Sequence, residues 1–397
     1  MQMYVLAHNP TDAVTEGFLP AAGRLGLDVT LLTDQPGAHR DRYRESHPGV
    51  EVLDCDVRDF HAVISRISAH RRPDAVFSNS DHLQTQTALA AEWFGLPGKP
   101  WRAALAAKDK AQTRRLLTAD AVRSLELAAH QDPADLLASD LPFPWVLKPR
   151  EGVASEDVIW VADPGDYLHH AAAIRARRPG AALVAEEYLP GELCSLETLG
   201  DGRRLHVLGG FRTELSPLPH FIEERMAFVP AHPGPVVAQV LDALGTLGAG
   251  FGACHTEFVV HAGRARIIEV NYRAIGDQCD LLLAELLGIP YFEHVLRIHL
   301  GEPLPADLPL RTGRAARLAY PLADRAGTLT AAPGPADLTV DGVRLTYRPA
   351  RGVGERHELY RTNRDFLGIV RAIGPGQEAV DRVVDAFTAR LSWEITP

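Results

Sequence analysis

HTEFVVHAGRARIIEVNYR, residues 255–273, is the stretch that decides how the chain is read. Two β-rich runs, ACHTEFVV and RARIIEVNY, flank HAGR and predict a hairpin. With the loop centred on Gly263, Glu257 and Glu269 stand equally far from the turn and face each other across the two strands. Like charges so placed destabilise a sheet. Side chains alternate faces along a strand, so Asn271 and Arg273 project to the same side as Glu269. Two carboxylates and an amide oxygen then converge, with a guanidinium just beyond. A hard divalent cation relieves such repulsion, because Mg2+ prefers oxygen ligands and is commonly shared between carboxylates and substrate phosphates. The planar fork of an arginine can hold a phosphate or carboxylate oxygen beside it. The competing reading is a solvated strand face, since a slip of one residue sends the acids to opposite faces.

Upstream, Lys148 in PWVLKPREGVAS ends an apolar strand and precedes a glycine-containing turn. It is placed to reach a phosphate as a point charge while the turn supplies backbone N–H groups, although an edge-strand lysine looks the same in isolation. Lys110 in AAKDKAQTRRLL gives a weaker signal, because basic helix faces are usually solvated. In LVAEEYLPGELCSLETL an apolar strand runs into Glu186, Glu187, Tyr188 and Leu189, a strand end that could offer backbone groups and aliphatic walls to a purine. Taken without its neighbours it is just a strand end.

From Tyr4 to about Pro100 apolar runs alternate with helical patterns: YVLA, an amphipathic stretch to Leu25, DVTLLT, a helix around Phe60 to His70, DAVFSN and a helix around Leu83 to Phe94. That rhythm predicts a parallel sheet covered by helices. AHNPTD follows the first strand where a dinucleotide site would have GxGxxG, which counts against a nicotinamide enzyme. Trp101 to Asp140 reads as helical, strands dominate from Trp145, a helix spans about Val236 to Leu247, and DLLLAELLG is helical. After GEPLP, at about residue 305, shorter strands and a helix near Glu378 to Leu391 suggest a terminal module.

Composition bounds the function. At 397 residues the chain is longer than one hydrophobic core serves well, so about two to four packed units are expected. A net charge of −10 offers no general attraction to nucleic acid, and no apolar run has the roughly 18 residues needed to cross a bilayer. The start MQMYVLAHNP lacks the basic and small-residue features of a secretory signal, so the expectation is a cytoplasmic protein. Cys55, Cys194, Cys254 and Cys279 lie far apart without a CxxC pair and read as buried small residues. His255 beside Cys254 invites a metal reading, but adjacent strand residues face opposite ways, which favours a structural role.

The order KDKAQTRRLL, PWVLKPREGVAS, VAEEYLPGELCS, HTEF and IIEVNYR resembles the ATP-grasp superfamily over about residues 100 to 300. The resemblance implies a mixed α/β and α+β architecture: a Rossmann-like domain over 1–100, a small ATP-grasp subdomain with a lid over 101–190, a large one over 191–305 and a C-terminal module over 306–397. It further implies ATP between the two subdomains. Lys110 and Lys148 would contact its phosphates, and Glu186 with the backbone at Glu187 and Leu189 would hold adenine. Glu257, Glu269 and Asn271 would bind Mg2+, and Arg273 would steady the transferring phosphoryl group. The loop Glu151 to Asp157 would be the lid that excludes water. The implied activity is that of a carboxylate–amine ligase working through an acyl phosphate on small molecules, in peptide or siderophore biosynthesis, with neither nucleic acid nor membrane as partner and a homodimer left open.

Three departures mark the chain. EGVASED has one glycine where the family usually has several, Leu193 stands in register for a ribose-binding glutamate with Glu192 one place early, and NYRAIGDQCD replaces Asn-Pro-Arg followed by glycines. On the substrate side, Asp277 and Asp280 are candidates for an amino group, against a reading as helix-capping acids. Arg212 and Arg225 are candidates for clamping a carboxylate from the apparent loop Ser216 to Glu224. Rival readings are an enzyme activating bicarbonate or formate, and a degenerate ATP-binding sensor or regulatory protein.

Overall fold

A computed structural model describes residues 1–118 and 122–397. The first unit is a four-stranded parallel sheet in the order Glu51–Asp54, Asp28–Thr33, Gln2–Leu6, Ala75–Phe77, with the helices Phe60–Ser68 and Gln84–Trp93 among those covering it. The strands are nearly continuous apolar runs because both faces are covered. The strand Glu51–Asp54 and the helix Pro36–Tyr43 are additions to the expected alternation.

The expected helical stretch Trp101 to Asp140 needs correction. It holds the helices Trp101–Lys108 and Lys110–Leu116, but then the strand Ser124–Leu127 and the short turn of helix Pro133–Ala138. Ser124–Leu127 pairs with Leu183–Glu187, and four residues are too few for a period to show in the sequence. These two strands form a four-stranded antiparallel sheet with Trp145–Pro149 and Ile159–Val161. One face is closed by the helix Pro164–Arg177, whose Tyr167, Ala171 and Ile174 pack on Trp145, Leu147, Leu183 and Ala185. That helix was legible but unread: Asp163 caps it by accepting from the Gly165 and Asp166 N–H groups, and Pro164 opens it.

A nine-stranded antiparallel sheet carries the hairpin at one edge. From the edge inward it runs Arg264–Asn271, Phe251–His261, Leu193–Asp201, Leu205–Leu215 and Glu223–Val229. It continues through Ala315–Ala319, Gly368–Gly374, Val343–Pro349 and Ala336–Val340. The C-terminal stretch therefore extends the sheet that bears the hairpin, because Ala315–Ala319 pairs with Glu223–Val229. The helices Gly234–Leu247, Cys279–Leu287 and Tyr291–His299 cover this sheet, the last of them unread in the sequence. Among the described residues no helix is long and apolar enough to cross a membrane, and the four cysteines are buried and unbridged.

The strands at the centre of this sheet approach unusually closely at Gly210. A Cβ there would lie 1.8 Å from the Ser195 carbonyl oxygen and 2.9 Å from His232 Nε2. Gly210→Ala is therefore expected to destabilise the fold by about 1–3 kcal/mol through overpacking, read as a lower denaturation midpoint in urea with an unchanged slope.

Candidate active site

A cavity of about 1040 Å³ is lined by residues from the parallel sheet, the four-stranded antiparallel sheet and the nine-stranded sheet. The hairpin contributes His255, Glu257, Val259, Ile268, Glu269 and Asn271 to its lining. The turn residues Ala262 and Gly263 both have positive φ (50° and 76°), the two-residue turn whose twist matches that of the strands. From that turn His261 pairs with Arg264, a register that, carried on unbroken, would set Glu257 opposite Ile268. A bulge after Glu257 takes up one residue, so Glu257 faces Glu269 and His255 faces Asn271.

The opposed acids are compensated within the protein. Lys110 Nζ lies 2.8 Å from Glu269 Oε1. Burial opposes charge on both partners, but their attraction outweighs it, raising the lysine and lowering the carboxyl. His255 bridges Glu197 (2.7 Å) and Glu257 (3.1 Å), and Ser195 Oγ donates to Glu197 at 2.7 Å. Burial disfavours the imidazolium, yet the two glutamates prevail and push His255 up to about 10. The expectation that a metal alone makes Glu257 and Glu269 compatible is thus corrected: Lys110 and His255 already do so. Asn271 Nδ2 donates to Glu257 Oε1 at 3.4 Å, and Arg273 reaches Asn271 Oδ1 at 3.4 Å and the Ala274 carbonyl at 2.9 Å.

Across the cavity Lys148, the penultimate residue of the strand Trp145–Pro149, is buried 2.7 Å from Glu186 Oε2. Arg114 grips the same carboxylate with Nε at 2.8 Å and a terminal nitrogen at 3.0 Å, and also donates to the Ile267 and Ile268 carbonyls at 2.9 and 2.8 Å. Burial would raise Glu186, but Arg114 and Lys148 bring it down to about 2. Burial, with Arg114 and Lys110 nearby, lowers Lys148 despite Glu186. Both oxygens of Glu186 are therefore committed to cations. The Glu187 N–H donates to the Arg123 carbonyl and its carboxylate accepts from Arg123 N–H and Arg266. Among the described residues the Leu189 N–H has no acceptor, and Val122, Val146, Leu193, Val259 and Ile268 line the cavity around it.

The remaining candidates divide. Glu192 sits at the rim, paired with Arg212 at 2.7 Å. Arg212 and Arg225 do not form the expected clamp: strand alternation points Thr213, Leu215 and Met226 into the cavity, so Arg212 and Arg225 face the other way, and Arg225 pairs with Glu214 at 3.3 Å. Neither acid is the N-cap of Cys279–Leu287, a position taken by Gln278. Asp280, in the first turn, accepts from the Leu281 N–H at 2.8 Å and lies outside the cavity lining, while Asp277 lines it. Burial pushes Asp280 up to about 7.

Sequence reasoning missed the face contributed by the parallel sheet. His8 and Asn9 follow its first strand and Asn79 to His82 its last, the carboxyl ends where such sheets bind ligands. Asp81 pairs with Lys108 and lies 4.0 Å from Arg273. The loop Glu151 to Asp157 holds Ala154, Ser155 and Asp157 at φ near 55°. Arg178 binds Glu156 and Asp157 at 2.5 and 2.6 Å, and Arg364 pairs with Glu156.

No family model matches the chain. It is 25% identical over 409 residues to the uncharacterized protein y4rH of Sinorhizobium fredii, covering 96% of this chain and 80% of that one. It is 26% identical over 295 residues to the ATP-grasp enzyme fsqD of Aspergillus fumigatus, covering 67% of this chain and 48% of the enzyme. It is 28% identical over 276 residues to carnosine synthase 1 of Gallus gallus, covering 62% and 29%. The chain thus spans less than half the length of these two enzymes. An L-amino acid ligase from Bacillus licheniformis superposes with a TM-score of 0.81 at 21% identity over 100% of this chain and 99% of that one. The biotin carboxylase domain of Hydrogenobacter thermophilus 2-oxoglutarate carboxylase, solved with MgADP and bicarbonate, superposes with a TM-score of 0.72 at 16% identity over 99% and 90%. The chain thus shares its fold with these ligase and carboxylase structures, and the proteins its sequence resembles include one named an ATP-grasp enzyme.

Proposed function

We propose that the chain is an ADP-forming ligase that activates a carboxylate as an acyl phosphate and couples it to an amine. The observation that carries this reading is the convergence of Glu257, Glu269 and Asn271 with Lys110, Lys148 and Arg273 on one cavity. That set supplies oxygen ligands and positive charge without a protein nucleophile, which suits phosphoryl transfer. The similar proteins named carnosine synthase 1 and L-amino acid ligase support a ligase reading. Peptide or siderophore-type amides are the products such chemistry supplies.

The residues fit magnesium. Among the described residues no three His, Cys, Asp or Glu side chains form a self-sufficient metal cage. Two carboxylates and an amide oxygen are instead what Mg2+ takes when phosphate oxygens and waters complete its shell. When bound, the ion neutralises charge on the phosphates. Lys110, released from Glu269, and Lys148, held by Glu186, would bind phosphate oxygens, and the Leu189 N–H with the Glu187 carbonyl would meet the adenine edge. Arg273 would align the acid for attack of its oxygen on the γ-phosphorus, with ADP leaving. The amine nitrogen would then attack the acyl carbon, phosphate would leave and the amine would lose a proton. Residues 151–157 would keep water out.

Coupled ADP and phosphate release, assayed with mixed acids and amines and products identified by mass spectrometry, tests the reading. ATP binding without turnover across a broad panel would instead identify a sensor, and bicarbonate or formate as sufficient acid would identify the other activation chemistry. Glu269→Ala is expected to abolish turnover, and Lys148→Met to lower kcat about 10²- to 10³-fold, the loss typical of one transition-state charge contact. Glu186→Gln should cost about 3–5 kcal/mol in denaturant unfolding, because it leaves Arg114 and Lys148 buried without their counter-charge. Unchanged stability would remove Glu186 from its anchoring role.

A further inference from the structure

Behind Arg273 the protein buries a lysine that the proposed chemistry does not use. Lys99, between the helices Gln84–Trp93 and Trp101–Lys108, is 8% exposed and lies outside the cavity lining. Its Nζ donates to Gln84 Oε1 at 2.6 Å and to the Tyr272 carbonyl, and it stands 4.6 Å from the centre of the Tyr272 ring. Among the described residues no carboxylate pairs with it. Gly252, at φ 76°, leaves room for the stem, because a Cβ there would lie 3.0 Å from Lys99 Cε. Burial brings Lys99 down to about 7. A buried cation without a counter-charge is unfavourable, and an apolar side chain of similar length would fill the same space without that penalty. Such a break with local packing rules is characteristic of functional sites.

What the lysine holds is the backbone that aims Arg273. The Arg273 N–H donates to the Asn271 carbonyl at 2.7 Å, a three-residue turn centred on Tyr272. Lys99 grips the carbonyl of the peptide that joins Tyr272 to Arg273, and fixing that peptide fixes the direction in which the arginine side chain leaves the backbone. Gln84 Nε2 donates to the Ser78 and Ser80 carbonyls at 3.0 and 2.8 Å, which turns its Oε1 to the lysine. Those carbonyls belong to the loop after the last strand of the parallel sheet, where Asn79 Oδ1 accepts from the Ala274 N–H at 3.1 Å. Residues on both sides of Arg273 are thus tied to one loop. The guanidinium's own hydrogen bonds, to Asn271 Oδ1 and the Ala274 carbonyl, stay within the same segment, so its place in the cavity follows the segment.

We propose that Lys99 is a positioning residue: through the Tyr272 carbonyl it sets Arg273 against the γ-phosphoryl group of a bound nucleoside triphosphate. The assignment of Arg273 to that group rests on the ligase reading; the hold of Lys99 on the Tyr272–Arg273 peptide does not. By this link the parallel-sheet domain takes part in placing the phosphoryl-transfer charges without touching the nucleotide.

The test uses the full chain and measures by calorimetry the affinities for MgADP and for the magnesium complex of AMPPNP, the imido analogue of ATP. Wild type, Lys99→Met, Arg273→Ala and the double variant are compared. Lys99→Met is expected to unfold in urea at or above the wild-type midpoint and to bind MgADP as wild type does. Its affinity for the AMPPNP complex should fall about tenfold, the scale of coupling between neighbouring residues. Arg273→Ala should lower that affinity at least as far, and the double variant no further than Arg273→Ala, because the lysine acts through the arginine. Lys99→Gln, neutral and one bond shorter, carries the same cycle where Lys99→Met does not fold. Unchanged affinity for the AMPPNP complex in the lysine variant, an equal loss for both nucleotides, or losses that multiply in the double variant overturns the proposal. Failure of the ligase reading registers separately, as absent ADP release with every acid and amine while the nucleotide affinities still show the coupling.

Discussion

One buried carboxylate, that of Glu186, holds the four-stranded antiparallel sheet and the nine-stranded sheet in the relation on which the site depends. Arg114 spans from it to the carbonyls of Ile267 and Ile268 on the hairpin strand, while Lys148 takes its second oxygen from the neighbouring strand. Taking these charges out of water is costly, and the arrangement persists because the carboxylate is shared by two cations and Arg114 makes four hydrogen bonds. Ile268 is also the residue taken up by the bulge. The same guanidinium that orders the small sheet therefore steadies the irregularity that sets Glu257 against Glu269.

The hairpin shows what a sequence can and cannot reveal. Counting six residues on either side of Gly263 identifies Glu257 and Glu269 as partners. The turn is centred half a residue away, between Ala262 and Gly263, and the bulge makes up the difference. Nothing in the local pattern announces that bulge. The alternation of the parallel sheet was legible because its runs are long and apolar; Ser124–Leu127 was not, since a four-residue strand owes its existence to a partner about sixty residues away. Arg212 and Arg225 were misassigned for a related reason. Their chemistry was read without the phase of the strands that carry them, which only the pairing of Thr213 with Met226 fixes.

Charge compensation was the other hidden layer. From sequence, two facing glutamates call for a metal, because the lysine that answers Glu269 lies 159 positions away. His255 could have been found, since it shares a strand face with Glu257 two residues on. The consequence is a site in which the paired carboxylates are already neutralised by Lys110 and His255. In the proposed scheme Lys110 would turn to a phosphate and free Glu269 for a cation, which would couple nucleotide and metal binding through one lysine.

The loop Glu151 to Asp157 gains its definition from elsewhere in the chain. With one glycine it cannot rely on backbone freedom, and three of its non-glycine residues occupy the left-handed region, which such residues adopt only at a cost. Arg178 and Arg364 hold Glu156 from two sides, and the Asn363 N–H donates to the Ala154 carbonyl at 3.3 Å. Asn363 also supports the Glu223 backbone, so the C-terminal stretch links this loop to the Glu223 side of the cavity. A glycine-rich lid closes on its ligand through its own backbone. Here ion pairs from Arg178, just after the helix Pro164–Arg177, and from Arg364, in the short helical turn Asn363–Asp365, hold the loop, which makes the C-terminal stretch part of the cavity lining.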